Sequence, residues 1–117
     1  MSRRAVVLAA TFDVVAIVLF VVIGRRNHHE GESVRGVLRV AAPFLIGLAV
    51  GWLIARAWKA PTDTTTGMVI WPVTVVVGML LRRFAFDNST ALAFIIVASV
   101  FTGLLLVGWR ALYGLRK

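Results

Sequence analysis

Charged residues fall in this chain as clusters, and four apolar windows lie between the clusters. The windows are Ala5 to Gly24, broken only by Asp13; Val40 to Ala55; Gly67 to Leu81; and Ala91 to Trp109. A helix rises about 1.5 Å per residue and the hydrocarbon core of a bilayer is about 30 Å thick, so about 20 residues cross it. The first and fourth windows are long enough by themselves. The second and third need their flanks. Arg39, Arg56, Arg82 and Arg83 have stems that can lie along a helix while the guanidinium reaches headgroups. Trp52, Trp58, Trp109 and Tyr113 stand near window ends, where amphipathic rings prefer the interface. A soluble bundle would need polar stripes every three to four residues, and these windows have none. The expectation is an all-α, polytopic membrane protein: one membrane domain over 1–117, with four transmembrane helices near 5–24, 40–58, 67–83 and 91–110.

Composition agrees with that reading. The chain is 60% hydrophobic and 15% charged, against roughly 45–50% and about 25% in soluble domains. Disordered chains are poor in apolar residues, so that class is excluded too. With no cysteine, there is no disulfide framework and no thiol nucleophile. The net charge of +8 comes from basic residues that bracket the spans. They read as topology determinants and as contacts to anionic lipid headgroups, not as a nucleic-acid surface. Ser2-Arg3-Arg4 precedes an apolar run, as in a secretory signal, but Asp13 interrupts the run and no small-residue cleavage site follows Gly24. The first span is therefore expected to be retained. With four spans, both termini and the loop from Arg56 to Thr66 share one side. That side carries seven Lys and Arg residues, and the other carries six. The positive-inside rule leans only slightly to cytoplasmic termini, in the cell membrane.

The chain also repeats itself. Arg25-Arg26 recurs as Arg82-Arg83, and Val50-Gly51-Trp52 recurs as Val107-Gly108-Trp109, both 57 residues later. At that single ungapped offset, residues 10–57 and 67–114 share ten identities, among them Phe44 with Phe101. A structural repeat would make the protein two parallel helical hairpins about a pseudo-two-fold axis along the membrane normal. Coincidence of Val and Ala in an apolar chain is the alternative. Asp13 aligns with Ile70, so chemistry at Asp13 would belong to one half only.

Asp13 is the residue most out of place. It is the ninth residue of its window, near the expected midplane, where an acidic side chain costs about 2.5–3.5 kcal/mol on insertion scales. An acid at that depth must be neutral, paired with a cation or surrounded by donors. Thr74, Ser99 and Thr102 stand near the middle of their own windows and are the expected hydrogen-bonding partners across helices. Asp13 is thus either a buried hydrogen-bonding node or a site that takes up and releases a proton. On the first reading Asp13→Asn keeps size and hydrogen bonding and leaves the fold intact. Small residues mark packing faces: Gly47, Gly51 and Ala55 on the second helix, Thr74 and Gly78 on the third, Ser99 and Gly103 on the fourth. Pro43 is expected in the first turn of its span, and Pro72 is expected to kink the third helix beside Trp71 and Thr74.

The first loop, Arg25-Arg26-Asn27-His28-His29-Glu30-Gly31-Glu32, gathers imidazoles and carboxylates. Adjacent histidines point apart on a helix and no further ligand spacing supports a closed metal site. The loop reads as a solvated, pH-sensitive headgroup loop. No nucleophile elbow, phosphate loop, paired carboxylates or metalloprotease motif appears, so neither a cofactor nor an enzymatic activity is expected.

Asp13, Phe20, Gly24, Arg25 and His28, then Pro43-Phe44 with Gly47, then Trp71 and Gly78 with Arg82, then Gly108-Trp109-Arg110 form a pattern. It resembles an uncharacterised family of small four-helix membrane proteins, a domain of unknown function found mainly in actinobacteria and haloarchaea. The resemblance spans nearly the whole chain. It implies a four-span membrane fold, with Gly24, Arg25, His28, Pro43, Phe44, Trp109 and Arg110 in the family signature, and it implies no activity. A second likeness is to the small multidrug resistance exporters, which also have four spans, near-balanced charge and one embedded acid early in the first helix. Here that acid is Asp, and the aromatic residues that normally accompany it in the first span are absent. The leading expectation is a non-enzymatic accessory or assembly component acting through helix–helix contacts, with a membrane-protein partner or a homodimer. The alternative is a proton-coupled exporter working as an antiparallel homodimer, with Asp13 as the shared proton and substrate site.

Overall fold

The computed structural model of the protein describes residues 3–27, 34–85 and 92–115. Four helices account for almost all of them: α1 (Arg3–Asn27), α2 (Val34–Ala55), α3 (Thr64–Phe84) and α4 (Leu92–Leu115). All four are long and apolar enough to cross a membrane. The long axis of the molecule is 40 Å, enough to traverse a hydrocarbon core of about 30 Å. Each helix packs on its neighbours in chain order, and α4 closes the ring against α1. The result is a four-helix bundle.

The helices run past the apolar windows where charged flanks extend them. α2 begins at Val34 and takes in Arg35 and Arg39, both exposed. Pro43 consequently lies well inside α2, not in its first turn, and is buried there. α2 stops at Ala55 because Arg56 turns into the left-handed region at φ 51°, a conformation that costs a non-glycine residue energy. A short 3-10 turn over Ala57–Lys59 and Pro61 then fold the chain back onto the end of the bundle. Thr66 Oγ1 donates to the Ala60 carbonyl at 2.7 Å and holds that fold-back against the start of α3.

Hydrophobicity does not separate inside from outside here. Val7, Leu19, Leu53, Ile54, Val76 and Leu104 are large, apolar and exposed. Lipid tails are as apolar as Leu, so helices in a bilayer associate through close packing and polar contacts instead. The buried faces accordingly collect small residues, hydroxyls and two charges. On α1 they are Ala9, Asp13, Ala16, Ile17, Phe20 and Val21, spaced for a single helix face.

Close approach is greatest between α2 and α3. A Cβ on Gly47 would stand 2.7 Å from the Thr74 carbonyl oxygen, and one on Gly51 would stand 3.2 Å from that of Ile70. Gly78 lies under the Phe44 ring. Between α3 and α4, the Trp71 indole lies on Gly103, where a Cβ would be 2.5 Å from the ring. Trp71 Nε1 donates to the Ser99 carbonyl at 2.7 Å. The region beside Pro72 is thus filled by a packed indole. Ala55 is half-buried at the very end of α2.

Candidate functional site

The carboxylate of Asp13 is fully buried and receives four N–H groups. Trp52 Nε1 of α2 donates to Oδ2 at 2.8 Å, and Trp109 Nε1 of α4 donates to Oδ1 at 2.8 Å. Arg110 of α4 supplies the other two as a fork, Nη1 to Oδ1 at 2.9 Å and Nη2 to Oδ2 at 2.8 Å. A carboxylate has about four lone-pair sites. All of them are used. Paired fork geometry of this kind is the strong form of a charge-assisted hydrogen bond.

Arg110 is also fully buried and is held from two further directions. Its Nε donates to the Pro61 carbonyl at 2.9 Å, and Nη1 donates to the Leu106 carbonyl one turn earlier in α4. Its guanidinium carbon lies 4.5 Å from the Trp109 ring centroid, in cation–π range. Phe12 meets the same indole edge-on at 4.9 Å between centroids. Gly67 of α3 makes room for the Arg110 stem, since a Cβ there would lie 2.9 Å from its Cδ. One ion pair therefore ties α1, α2, α4 and the α2–α3 connection together, with α3 shaped to admit it.

Asp13 is about 15 Å along α1 from Arg3 by helical rise, but it is reached from the last turn of α2 and from near the end of α4. The carboxylate thus lies in the half of the bundle that carries the fold-back, linked to it through Arg110 and the Pro61 carbonyl.

The hydroxyls expected around Asp13 are not its hydrogen-bond partners. Thr102 Oγ1 donates to the Ala98 carbonyl at 2.5 Å. Ser99 accepts Trp71 through its backbone, and Thr74 Oγ1 is buried with no hydrogen-bond partner. Mid-window position placed these three at the wrong level. The true partners stand at window ends, where Trp52 and Trp109 read as interfacial anchors and Arg110 as a span terminator. A signal for them existed. Trp52 and Trp109 are repeat mates at the 57-residue offset, and they donate to opposite oxygens of one carboxylate. Phe44 and Phe101 are also repeat mates, and each ring lies 5.8 Å from Phe20, two turns along α1 from Asp13. The pairs from α2 and α4 thus grip α1 twice. The halves differ below them: Gly51 packs on the α3 backbone, whereas its mate Gly108 faces open space.

Of the remaining signature residues, Pro43 and Phe44 are buried in α2 and Gly24 is half-buried in α1. Arg25 lies in the last turns of α1. His28, with His29, Glu30 and Glu32 of the first loop, lies outside the described residues.

Four apolar helices closed around a buried, fully bonded ion pair define a multi-pass membrane protein of the four-helix class. The chain belongs to the family described as "Protein of unknown function (DUF3054)", whose model matches residues 10–113 and so takes in the whole Asp13 cluster. No curated protein and no solved structure matches it.

Proposed function

We propose that the protein is a non-enzymatic accessory or assembly component of the cell membrane, with cytoplasmic termini, acting on a membrane-protein partner or a second copy through the outer faces of its helices. On this reading the Asp13 cluster is structural. The observation that carries it is the saturation of the carboxylate: every acceptor position on Asp13 is filled from within one chain. A proton- or substrate-binding acid needs a free position, and none remains. The near balance of basic residues favours the second reading, an antiparallel exporter dimer with Asp13 as shared site. That reading requires the Arg110 fork to open during each cycle.

Stability and proton release separate the two. Because Arg110 is the partner, Asp13→Asn no longer counts as a mild change: it strands a buried guanidinium and sets an amide donor against it. Asp13→Asn and Asp13→Ala should each cost about 3–5 kcal/mol, the range for removing one member of a buried pair. The double substitution Asp13→Leu with Arg110→Met should recover most of that loss, as an apolar pair of similar bulk often does. Denaturant titration of the purified protein in detergent measures all three. Proton release on adding a candidate substrate, present in the wild type and lost in Asp13→Asn, would overturn the structural reading.

A further inference from the structure

At the opposite end of the bundle, an open groove of about 480 Å³ runs along α3 beside Ile95 of α4. That volume falls within the range of ordinary ligand sites. Its walls are Val75, Val76, Met79 and Leu80 of α3 and Ile95 of α4, and its mouth is formed by Arg83 and Phe84 in the last turn of α3. Among the described residues, no acidic side chain lines it. Arg83 is exposed, and its guanidinium carbon is 6.0 Å from the Phe84 ring centroid.

The two parts of this surface ask for different chemistry, in a fixed order along the helix axis. The groove runs along the apolar span and fits hydrocarbon. The cation stands at the helix end, where a membrane-crossing segment meets headgroups, and a basic side chain there attracts anionic lipid. We propose that the α3–α4 groove is a binding site for one anionic phospholipid, with an acyl chain along Val75, Val76, Met79 and Ile95 and the phosphate at Arg83. The site is independent of the Asp13 cluster and requires only that the helices lie in a membrane.

The test uses the full-length protein in mild detergent, with bound lipid read by native mass spectrometry. Phosphatidylglycerol and phosphatidylcholine of identical chains are added in equal amounts. Wild type should retain one phosphatidylglycerol in preference to phosphatidylcholine. Arg83→Gln should reduce that preference about fivefold, the effect of one basic residue near an anionic surface. Val76→Phe, which fills the groove from an exposed position, should lower retention of both lipids. Arg56→Gln, an exposed arginine at the other end of the bundle, should change neither. Both test positions are exposed, and circular dichroism confirms that each variant is folded. Equal retention of the two lipids by wild type overturns the proposal, as does undiminished binding in Val76→Phe. Equal losses in Arg56→Gln and Arg83→Gln overturn it in favour of diffuse charge. Displacement of the lipid by millimolar inorganic phosphate would overturn it in favour of a free-anion site.

Discussion

Thr74, whose backbone meets Gly47 across the α2–α3 seam, keeps a hydroxyl in the core with no hydrogen-bond partner. An unpaired buried hydroxyl costs on the order of 1–3 kcal/mol. Thr74→Val replaces it with a methyl group of similar shape and should stabilise the bundle by about 1 kcal/mol. A lowered denaturation midpoint for Thr74→Val would show that the hydroxyl is satisfied in solution. The contrast with Asp13 is instructive, because both were conspicuous in the sequence as polar groups in apolar windows. Asp13 was legible as an outlier that needed compensation, and burial with a cation and donors is what it has. Its partners were legible only in part: the repeat pairs Trp52 with Trp109, but residue type and window position assign Trp and Arg at span ends to headgroups equally well. Only tertiary structure turns Trp52, Trp109 and Arg110 inward. Pro61 and Gly67 gave no signal at all: one acts through a backbone carbonyl and the other through the absence of a side chain.

Among the elements, the helices were readable because lipid imposes length and apolarity on any spanning segment. Their seams were readable in part from glycine spacing: Gly47, Gly51, Gly78 and Gly103 all lie at close contacts, and Gly108, outside that set, does not. Gly47 meets the α3 backbone, which has no flexible end to move aside, whereas a Cβ on Gly108 would meet nothing within 4 Å. Gly47→Ala should therefore force α2 and α3 apart and destabilise the bundle. Gly108→Ala should stabilise α4 by roughly 0.5–1 kcal/mol through helix propensity alone. Thermal unfolding of the two variants in one detergent gives opposite shifts on this account. Loss of a dimer in Gly108→Ala, without loss of the folded monomer, would instead identify that open glycine as a seam with a second copy. The α2–α3 connection was the least readable element. Its shape depends on Arg56 adopting a left-handed turn and on Pro61 being drawn under Arg110, and neither follows from local preference.

For the whole molecule, the Asp13–Arg110 pair also alters how the chain should sit in the bilayer. Arg110 is one of the seven basic residues on the side of the termini, yet it is buried and neutralised by Asp13. Setting it aside leaves 7 − 1 = 6 basic residues on that side against six on the other. The folded bundle then has no charge preference, so orientation rests on the exposed residues that act during insertion. Arg3 and Arg4 are exposed at the start of α1 and are the earliest of these. Replacing both with Ala tips the balance to four against six, and the first helix usually dominates topology. The C-terminus should move toward the non-cytoplasmic side, and reporter fusions at the C-terminus and in the first loop would read the change on both faces. An unmoved orientation would show that the first helix is placed by something other than its flanking charge. Comparable signals from both faces in the unmodified chain would mean dual insertion. Every copy would still fold around its own ion pair, so dual insertion would supply an antiparallel dimer without requiring one. Transport through Asp13 would need the further demonstration that the arginine fork opens.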